Sequence, residues 1–138
     1  MEEQSKLAER ILDQVADAVI CANDSGTIIR WNHASAALFG YSAKEALGQS
    51  VELIIPDHLR AAHRSGFDAA MTRGATTLQG RPTLTRAVHK SGRKLYVEMS
   101  FAIVKGDTDT EVLGAVAVAR DVTERIERER AASRSSTR

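Results

Sequence analysis

The side chains that could bind a metal ion or act as a nucleophile are few and widely spaced in this chain. They are four histidines and one cysteine: His33, His58, His63, His89 and Cys21. His58 and His63 are five residues apart, so they would be poorly aligned on one helical face, and neither belongs to an H-E-x-x-H zinc motif. Cys21 has no second cysteine to complete a zinc site of the usual kind. We therefore predict no metal site, and Cys21 is typical of a small apolar core residue.

Motifs of common enzyme sites are also absent from the sequence. The chain contains no G-x-S-x-G nucleophile elbow, no phosphate-binding P-loop and no G-x-G-x-x-G dinucleotide motif. Ser42 and Glu45 have the spacing of a capping box, in which each side chain accepts a hydrogen bond from the other's backbone amide. We therefore expect no catalytic residues and predict that the chain is not an enzyme.

Composition limits the class of protein further. With 138 residues, 43% of them hydrophobic, the chain fits one globular domain and is not a disordered segment. The 19 basic and 18 acidic residues nearly cancel, which argues against nucleic acid as the partner. No apolar run approaches the roughly 20 residues of a membrane span, and the charged N-terminus lacks the apolar core of a signal peptide. Together with the single cysteine, these features favour a cytoplasmic protein without membrane contact.

The first half of the chain predicts a helix, a β-hairpin and two short helices. Apolar residues at helical spacing predict an amphipathic helix over residues 1–16. Its narrow apolar seam consists of Leu7, Ile11 and Val15. Two β-branched segments flank the turn residues 23–26, which is typical of a hairpin. Asn32 is expected to cap a short helix that Gly40 ends, and the capping box begins the next one.

The second half predicts one longer helix, three strands and a charged helix. Asp57 is expected to cap a helix that runs to about Arg73. The strands are predicted over residues 76–89, 94–104 and 111–119. A charged helix follows, and Arg134–Arg138 are expected to be disordered. This order predicts an α+β fold with an antiparallel sheet. We divide the chain into an N-terminal helix (1–16), a core (17–122), and an exit helix with a disordered tail (123–138).

Three segments resemble the PAS domain family. They are DSGTIIRWN at residues 24–32, KSGRKLYVE at residues 90–98 and G-x-V-x-V-x-R-D-V-T-E at residues 114–124. The likeness extends in order and spacing over about residues 8–125. It implies a five-stranded antiparallel sheet with short helices on one face, a leading N-terminal helix and a short exit helix. It also implies a sensory and protein-interaction module of signal transduction.

Within that family, the chain is similar to the haem-binding, oxygen-sensing domains of certain histidine kinases. Their axial histidine lies in a P-x-x-x-R-x-x-H pattern, which Pro56–His63 matches, and Gly80-Arg81 resembles their distal arginine. The resemblance implies His63 as axial haem ligand and Arg81 as a distal hydrogen-bond donor. Many members without haem share these features, so the cofactor is left open. A flavin is disfavoured, because light-sensing members carry their cysteine on the first core helix, whereas Cys21 lies in the first strand.

Another alternative is a small ligand in an apolar pocket between the sheet and the helices. The residues expected to line such a pocket are Ile20, Ile29, Leu38, Ile54, Phe67, Met99, Phe101 and Val116. The same side chains would equally serve to fill a close-packed core.

The flanks of the domain complete the functional prediction. The resemblance implies that Asp121 and Thr123 relay a packing change to the exit helix, and that the N-terminal seam pairs with its copy in a homodimer. We predict a sensory PAS module that binds a small ligand or a partner protein. The alternatives are a haem-based gas sensor with His63 as axial ligand and a ligand-free dimerisation scaffold. The signalling response would be produced by an effector protein or by a fused domain outside this chain.

Overall fold

The computed structural model describes residues 2–76 and 80–136, and it is built on one antiparallel sheet. The helices are α1 (Glu2–Gln14), α2 (His33–Phe39), α3 (Ala43–Ala46), α4 (Arg60–Arg73) and α5 (Thr123–Ser136). The strands are β1 (Ala18–Asn23), β2 (Ile28–Trp31), β3 (Thr83–Val88), β4 (Lys94–Lys105) and β5 (Val112–Asp121). Two short 3₁₀ helices, Val51–Ile54 and Asp57–Leu59, precede α4.

The five strands form a single sheet in the order β2-β1-β5-β4-β3, and each neighbouring pair is antiparallel. The first and last strands are neighbours, with Cys21 opposite Val116. β4 and β5 form a long ladder in which Val97 lies opposite Asp121. This sheet, with α1 before it and α5 after it, confirms the predicted α+β fold.

The predicted caps of the two short helices are confirmed. The Asn32 side chain accepts a hydrogen bond at the start of α2, and Gly40 ends that helix with a φ of 85°. Such a left-handed conformation costs glycine little, because glycine has no Cβ. At the start of α3, Ser42 and Glu45 form both hydrogen bonds of the capping box.

The start of α4 differs from the prediction. Asp57 lies in a separate 3₁₀ helix, and α4 begins at Arg60 with Leu59 at the cap position and no side-chain cap hydrogen bond. The Asp57 carboxylate instead lies 3.1 Å from the guanidinium of Arg60. The predicted cap at Asp57 is therefore wrong, because an ion pair within the turn takes the side chain that would have capped the helix.

The strand predicted from residue 76 begins later, at Thr83. Thr83 directly follows Pro82, whose nitrogen has no hydrogen to donate to a strand ladder. Residues 77–79, which the prediction also included, lie outside the described part of the chain.

The exit helix is longer than predicted. α5 continues to Ser136, so the expected disorder is wrong for residues 134–136. Residues 137–138 lie outside the described part of the chain. The guanidinium of Arg125 lies 3.8 Å from the Glu129 carboxylate one turn on. Pairs at this spacing support an exposed helix.

The hydrophobic core lies on the face of the sheet that α2 and α3 cover. Strand alternation directs Leu95, Val97 and Met99 of β4 to this face, where all three are buried. The rings of Trp31 and Phe39 pack beside them, with centroids 5.6 Å apart. In contrast, none of the 14 residues of α4 is buried. The candidate site lies beneath this loosely packed helix.

Candidate functional site

A cavity of about 240 Å³ lies between α4 and strands β4 and β5, and a smaller cavity of about 60 Å³ adjoins it. The larger is lined by Ala62, His63, Gly66, Phe67, Ala70, Met71, Arg73, Thr76, Phe101, Ile103 and Ala115. The smaller is lined by Ile20, Ala22, Val51, Ile54, Ile55, His63, Phe67, Met99, Phe101, Ala115 and Ala117. Both linings are mostly apolar, as is usual for small-molecule sites.

The cavity exists because small residues face one another across it. Ala62, Gly66 and Ala70 repeat every four residues of α4 and therefore share one face of that helix. Ala115 and Ala117 lie across from them on the strand β5. At these positions neither element supplies a large side chain, so volume is left between them where a core is normally close-packed.

His63 is the titratable group that the two cavities share. Its ring stacks on that of Phe67, one turn further along α4, with a centroid separation of 6.2 Å and an interplanar angle of 26°. The Nδ1 atom of His63 is buried and has no hydrogen-bond partner among the described residues. Burial lowers the pKa of His63, while the Glu52 carboxylate opposes that shift and Arg64 adds to it. Burial therefore favours the neutral form of the ring, which can donate one hydrogen bond and accept another.

Five of the eight residues predicted to line a pocket border the cavities. They are Ile20, Ile54, Phe67, Met99 and Phe101. The others lie elsewhere: Ile29 is exposed, and Leu38 packs against the core from α2. Val116 pairs with Ala102 on β4, and strand alternation directs it to the opposite face from Ala115 and Ala117.

The prediction missed Gly66, Ile103 and Ala115 as lining residues. The repeat of small residues every four positions along α4 was the available signal for Gly66. Ala115 had no such signal, because β5 is small and apolar on both faces.

Arg81, the predicted distal residue, is exposed and does not border either cavity in the described part of the chain. It follows directly on residues 77–80, of which only Gly80 is described. His63 and Arg81 are therefore not brought together at a common cavity by the described residues.

The junction between β5 and α5 is fastened to the backbone of Tyr96. The hydroxyl of Thr123 accepts a hydrogen bond from the Tyr96 amide at 2.9 Å and donates one to the Tyr96 carbonyl at 3.2 Å. The Asp121 carboxylate accepts from the Thr123 amide at 3.0 Å. Ile126, in the first turn of α5, is buried. The two predicted relay residues therefore lie together, in contact with the start of β4.

Asn32 joins three elements, a role that its prediction as a helix cap did not include. Its side-chain oxygen accepts hydrogen bonds from the amides of Ser35 in α2 and Val19 in β1. Its side-chain nitrogen donates to the carbonyl of Leu12 in α1 at 2.7 Å and to that of Asp17 at 3.0 Å. The position of α1 is therefore tied to the core by a buried amide group.

The predicted seam of α1 lies on the surface. Leu7, Ile11 and Val15 are 58%, 52% and 39% exposed. The helix is attached through other residues: Glu9 lies 2.9 Å from Arg30, and Asp13 lies 3.0 Å from the imidazole of His33. The apolar seam is thus left uncovered by the rest of the described chain.

Among the described residues, histidine, cysteine and acidic side chains form no group of three or more that could hold a metal ion. No helix among them is both long and apolar enough to cross a membrane. Cys21 is half-buried on the sheet, and burial raises the pKa of its thiol.

Comparison with known proteins supports this architecture. The crystal structure of a PAS domain from Colwellia psychrerythraea superposes with a TM-score of 0.72 at 27% sequence identity, covering 88% of this chain and 98% of that one. The sensor protein FixL of Bradyrhizobium diazoefficiens is 27% identical over 83% of this chain and 22% of its own length. The oxygen sensor protein DosP of Escherichia coli is 25% identical over 76% of this chain and 13% of its own length.

The chain thus spans less than a quarter of the length of either sensor protein. The family profile described as the PAS domain matches residues 16–124, which is most of the chain. Fold, strand order and sequence agree, and the chain belongs to the PAS domain family of sensory modules.

Proposed function

We propose that this PAS domain senses a small, mostly apolar ligand that binds beneath α4 and carries one hydrogen-bonding group recognised by His63. The observation that supports this most directly is the cavity of about 240 Å³ between small residues, bordered by the half-buried imidazole of His63 with its buried Nδ1 atom. Apolar cavities with a few polar groups are the usual form of small-molecule sites.

The signal would leave the cavity through β5. Ala115 and Ala117 border the cavities, and the same strand ends at Asp121, directly before the fastened start of α5. A ligand that displaces β5 would therefore act on the Thr123–Tyr96 hydrogen bonds. The ligand can change the fraction of molecules in which these hydrogen bonds are formed only if it binds the bonded and the broken state with different affinity.

Thermal unfolding of the purified chain with a panel of small apolar alcohols, amides and hydrocarbons tests the proposal. A true ligand at 100 times its dissociation constant adds about 2.7 kcal/mol of stability and raises the melting temperature. The variant His63→Leu keeps an apolar wall and removes the hydrogen bond, so the alcohols and amides should lose more affinity than the hydrocarbons. A panel without any stabilising compound would contradict the proposal.

Haem is the second candidate, and the likeness to FixL and DosP, the latter named as an oxygen sensor, favours it. His63 fits the axial position, because a neutral, partly buried imidazole with an unpartnered nitrogen is a suitable iron ligand. The surrounding space fits less well. The cavity is smaller than the roughly 300–1,000 Å³ that hold drug-sized ligands, and Arg81 does not border it. Bound haem would supply an iron atom for a diatomic gas.

The absorption spectrum of the protein, as purified and after addition of haemin, decides between the two candidates. A defined Soret band that is lost in His63→Ala would establish haem. A protein that gives no defined band with haemin would exclude it and leave the apolar ligand.

A further inference from the structure

An ion pair attaches α4 to the rest of the domain near the start of the helix, and the helix covers the cavity along most of its length. The guanidinium of Arg64 forms a fork with the Glu52 carboxylate, with Nε donating to Oε1 at 2.8 Å and Nη2 to Oε2 at 3.0 Å. Glu52 lies in the preceding 3₁₀ helix, where the Ser50 hydroxyl holds its backbone amide at 3.1 Å. The two hydrogen bonds of this ion pair thus join α4 to the 3₁₀ helix Val51–Ile54.

A surface cleft of about 250 Å³ lies beside this ion pair. It runs between the β1–β2 turn, the first 3₁₀ helix and α4, and it is bordered by Gly26, Ser50, Glu52, Arg64 and Asp68. His63 and Phe67 line the cleft as well as both cavities beneath α4. The stacked rings of these two residues therefore lie between the cleft and those cavities.

We propose, on the basis of the proposed function, that α4 is a lid that covers the ligand cavity and that the Glu52–Arg64 ion pair is the latch that holds it closed. Ligands enter from this cleft, past His63 and Phe67. Three observations support it together: no residue of α4 is buried, the fork is its two-pronged ion pair to the 3₁₀ helix, and the cleft meets the cavities at one ring pair. A two-pronged arginine–carboxylate pair is both directional and stronger than a single contact. Loss of the fork should free the lid without changing the walls of the cavity.

Exchange of fluorobenzene with the full chain, followed by ¹⁹F NMR line shape, tests the latch. In Glu52→Gln the association and dissociation rates should both rise about two- to fivefold, the range that one partly exposed ion pair provides. The dissociation constant should stay unchanged, since the apolar walls are intact. Glu9→Gln is the matched control, because it makes the same chemical change in the Glu9–Arg30 pair, far from α4.

Amide hydrogen exchange gives a readout that needs no ligand. Exchange across α4 should accelerate in Glu52→Gln and return towards the wild-type rate in the charge-swapped variant Glu52→Arg/Arg64→Glu, while β4 and β5 stay unchanged. Wild-type exchange of α4 in Glu52→Gln, or equal acceleration in Glu9→Gln, would overturn the latch whether or not fluorobenzene binds. Failure of fluorobenzene and of every compound in the thermal-unfolding panel to bind the wild type would count against the proposed function instead.

Discussion

His63 combines two properties that bear on ligand binding. Its ring borders apolar cavities, and one of its nitrogens is buried without a partner among the described residues. An unpartnered buried nitrogen costs free energy in the empty protein. A ligand that supplies the missing hydrogen bond recovers that free energy, so the same atom gives affinity and selects for a polar group.

The protonation of His63 links the stability of the domain to pH. Burial lowers its pKa below the ordinary value of 6.5, with Glu52 acting against the shift and Arg64 with it. As the pH falls through 6.5, the unfolded chain takes up a proton that the folded protein still refuses, so stability is lost. We expect the free energy of unfolding to decrease between about pH 7.5 and about pH 5.5, and to decrease less in His63→Gln.

Urea denaturation of both proteins at the two pH values measures this difference. His58→Gln, in the exposed 3₁₀ helix just before α4, is the control for loss of a histidine as such. An equal decrease in the wild type and in His63→Gln would show that His63 does not carry the effect.

Single residues were predicted well where a local hydrogen bond decides their role. The box of Ser42 and Glu45 and the left-handed Gly40 depend on neighbours within four residues, so the sequence contains the whole reason for them. Asp57 was predicted wrongly because its carboxylate pairs with Arg60 three residues on and does not cap the helix. Val116 was assigned to the wrong face because alanine and valine alternate along β5 without a polar side.

Among the elements, α5 is attached at its start by the hydroxyl of Thr123, together with the buried side chain of Ile126. Replacing Thr123 with Val keeps the shape of the side chain and removes both of its hydrogen bonds to Tyr96. The Tyr96 amide then loses its partner at a half-buried position, which should cost about 1–3 kcal/mol. We expect a lower free energy of unfolding and faster amide exchange in the first turns of α5. Thr123→Ser retains the hydroxyl and should stay close to the wild type; equal behaviour of the Val and Ser variants would contradict the fastening role.

The uncovered seam of α1 leads to an expectation about assembly. Leu7, Ile11 and Val15 form an apolar stripe that the domain does not bury. A second copy of the chain could cover it, as the sequence predicted. We expect Ile11→Glu to shift sedimentation velocity profiles towards the monomer, because a charge in an apolar contact is unfavourable. Ser5→Glu adds the same charge away from the seam and should leave association unchanged. A wild-type chain that is monomeric at all concentrations would refute the dimer.

For the whole molecule, the strand order brings the two flanks together. β1 follows α1 and β5 precedes α5, and these strands are neighbours at the centre of the sheet. The Arg120 guanidinium on β5 lies 3.4 Å from the carboxylate of Asp17, in the link between α1 and β1. A displacement of β5 would therefore act on both flanking helices at once. The contact between Arg120 and Asp17 could not be predicted from local sequence patterns, since it joins residues more than a hundred positions apart.

The cavity was also hard to predict, for a related physical reason. It is a space left between Ala62, Gly66 and Ala70 on one element and Ala115 on another, about fifty residues away. Each small residue taken alone is consistent with close packing. Only their opposition in the folded chain leaves volume unfilled.

Filling the cavity from β5 should imitate a ligand and reveal the relay. Ala115 borders both cavities, so Ala115→Leu places added methyl groups in existing space. We expect a modestly higher melting temperature, since about 0.8 kcal/mol follows from each buried methylene, together with weaker fluorobenzene binding and altered amide exchange in α5. Ala102→Leu makes the same change on the opposite, exposed face of the sheet and should affect neither binding nor α5. If Ala115→Leu blocked binding while α5 exchanged as in the wild type, the cavity would be a ligand site that does not communicate with the exit helix through β5.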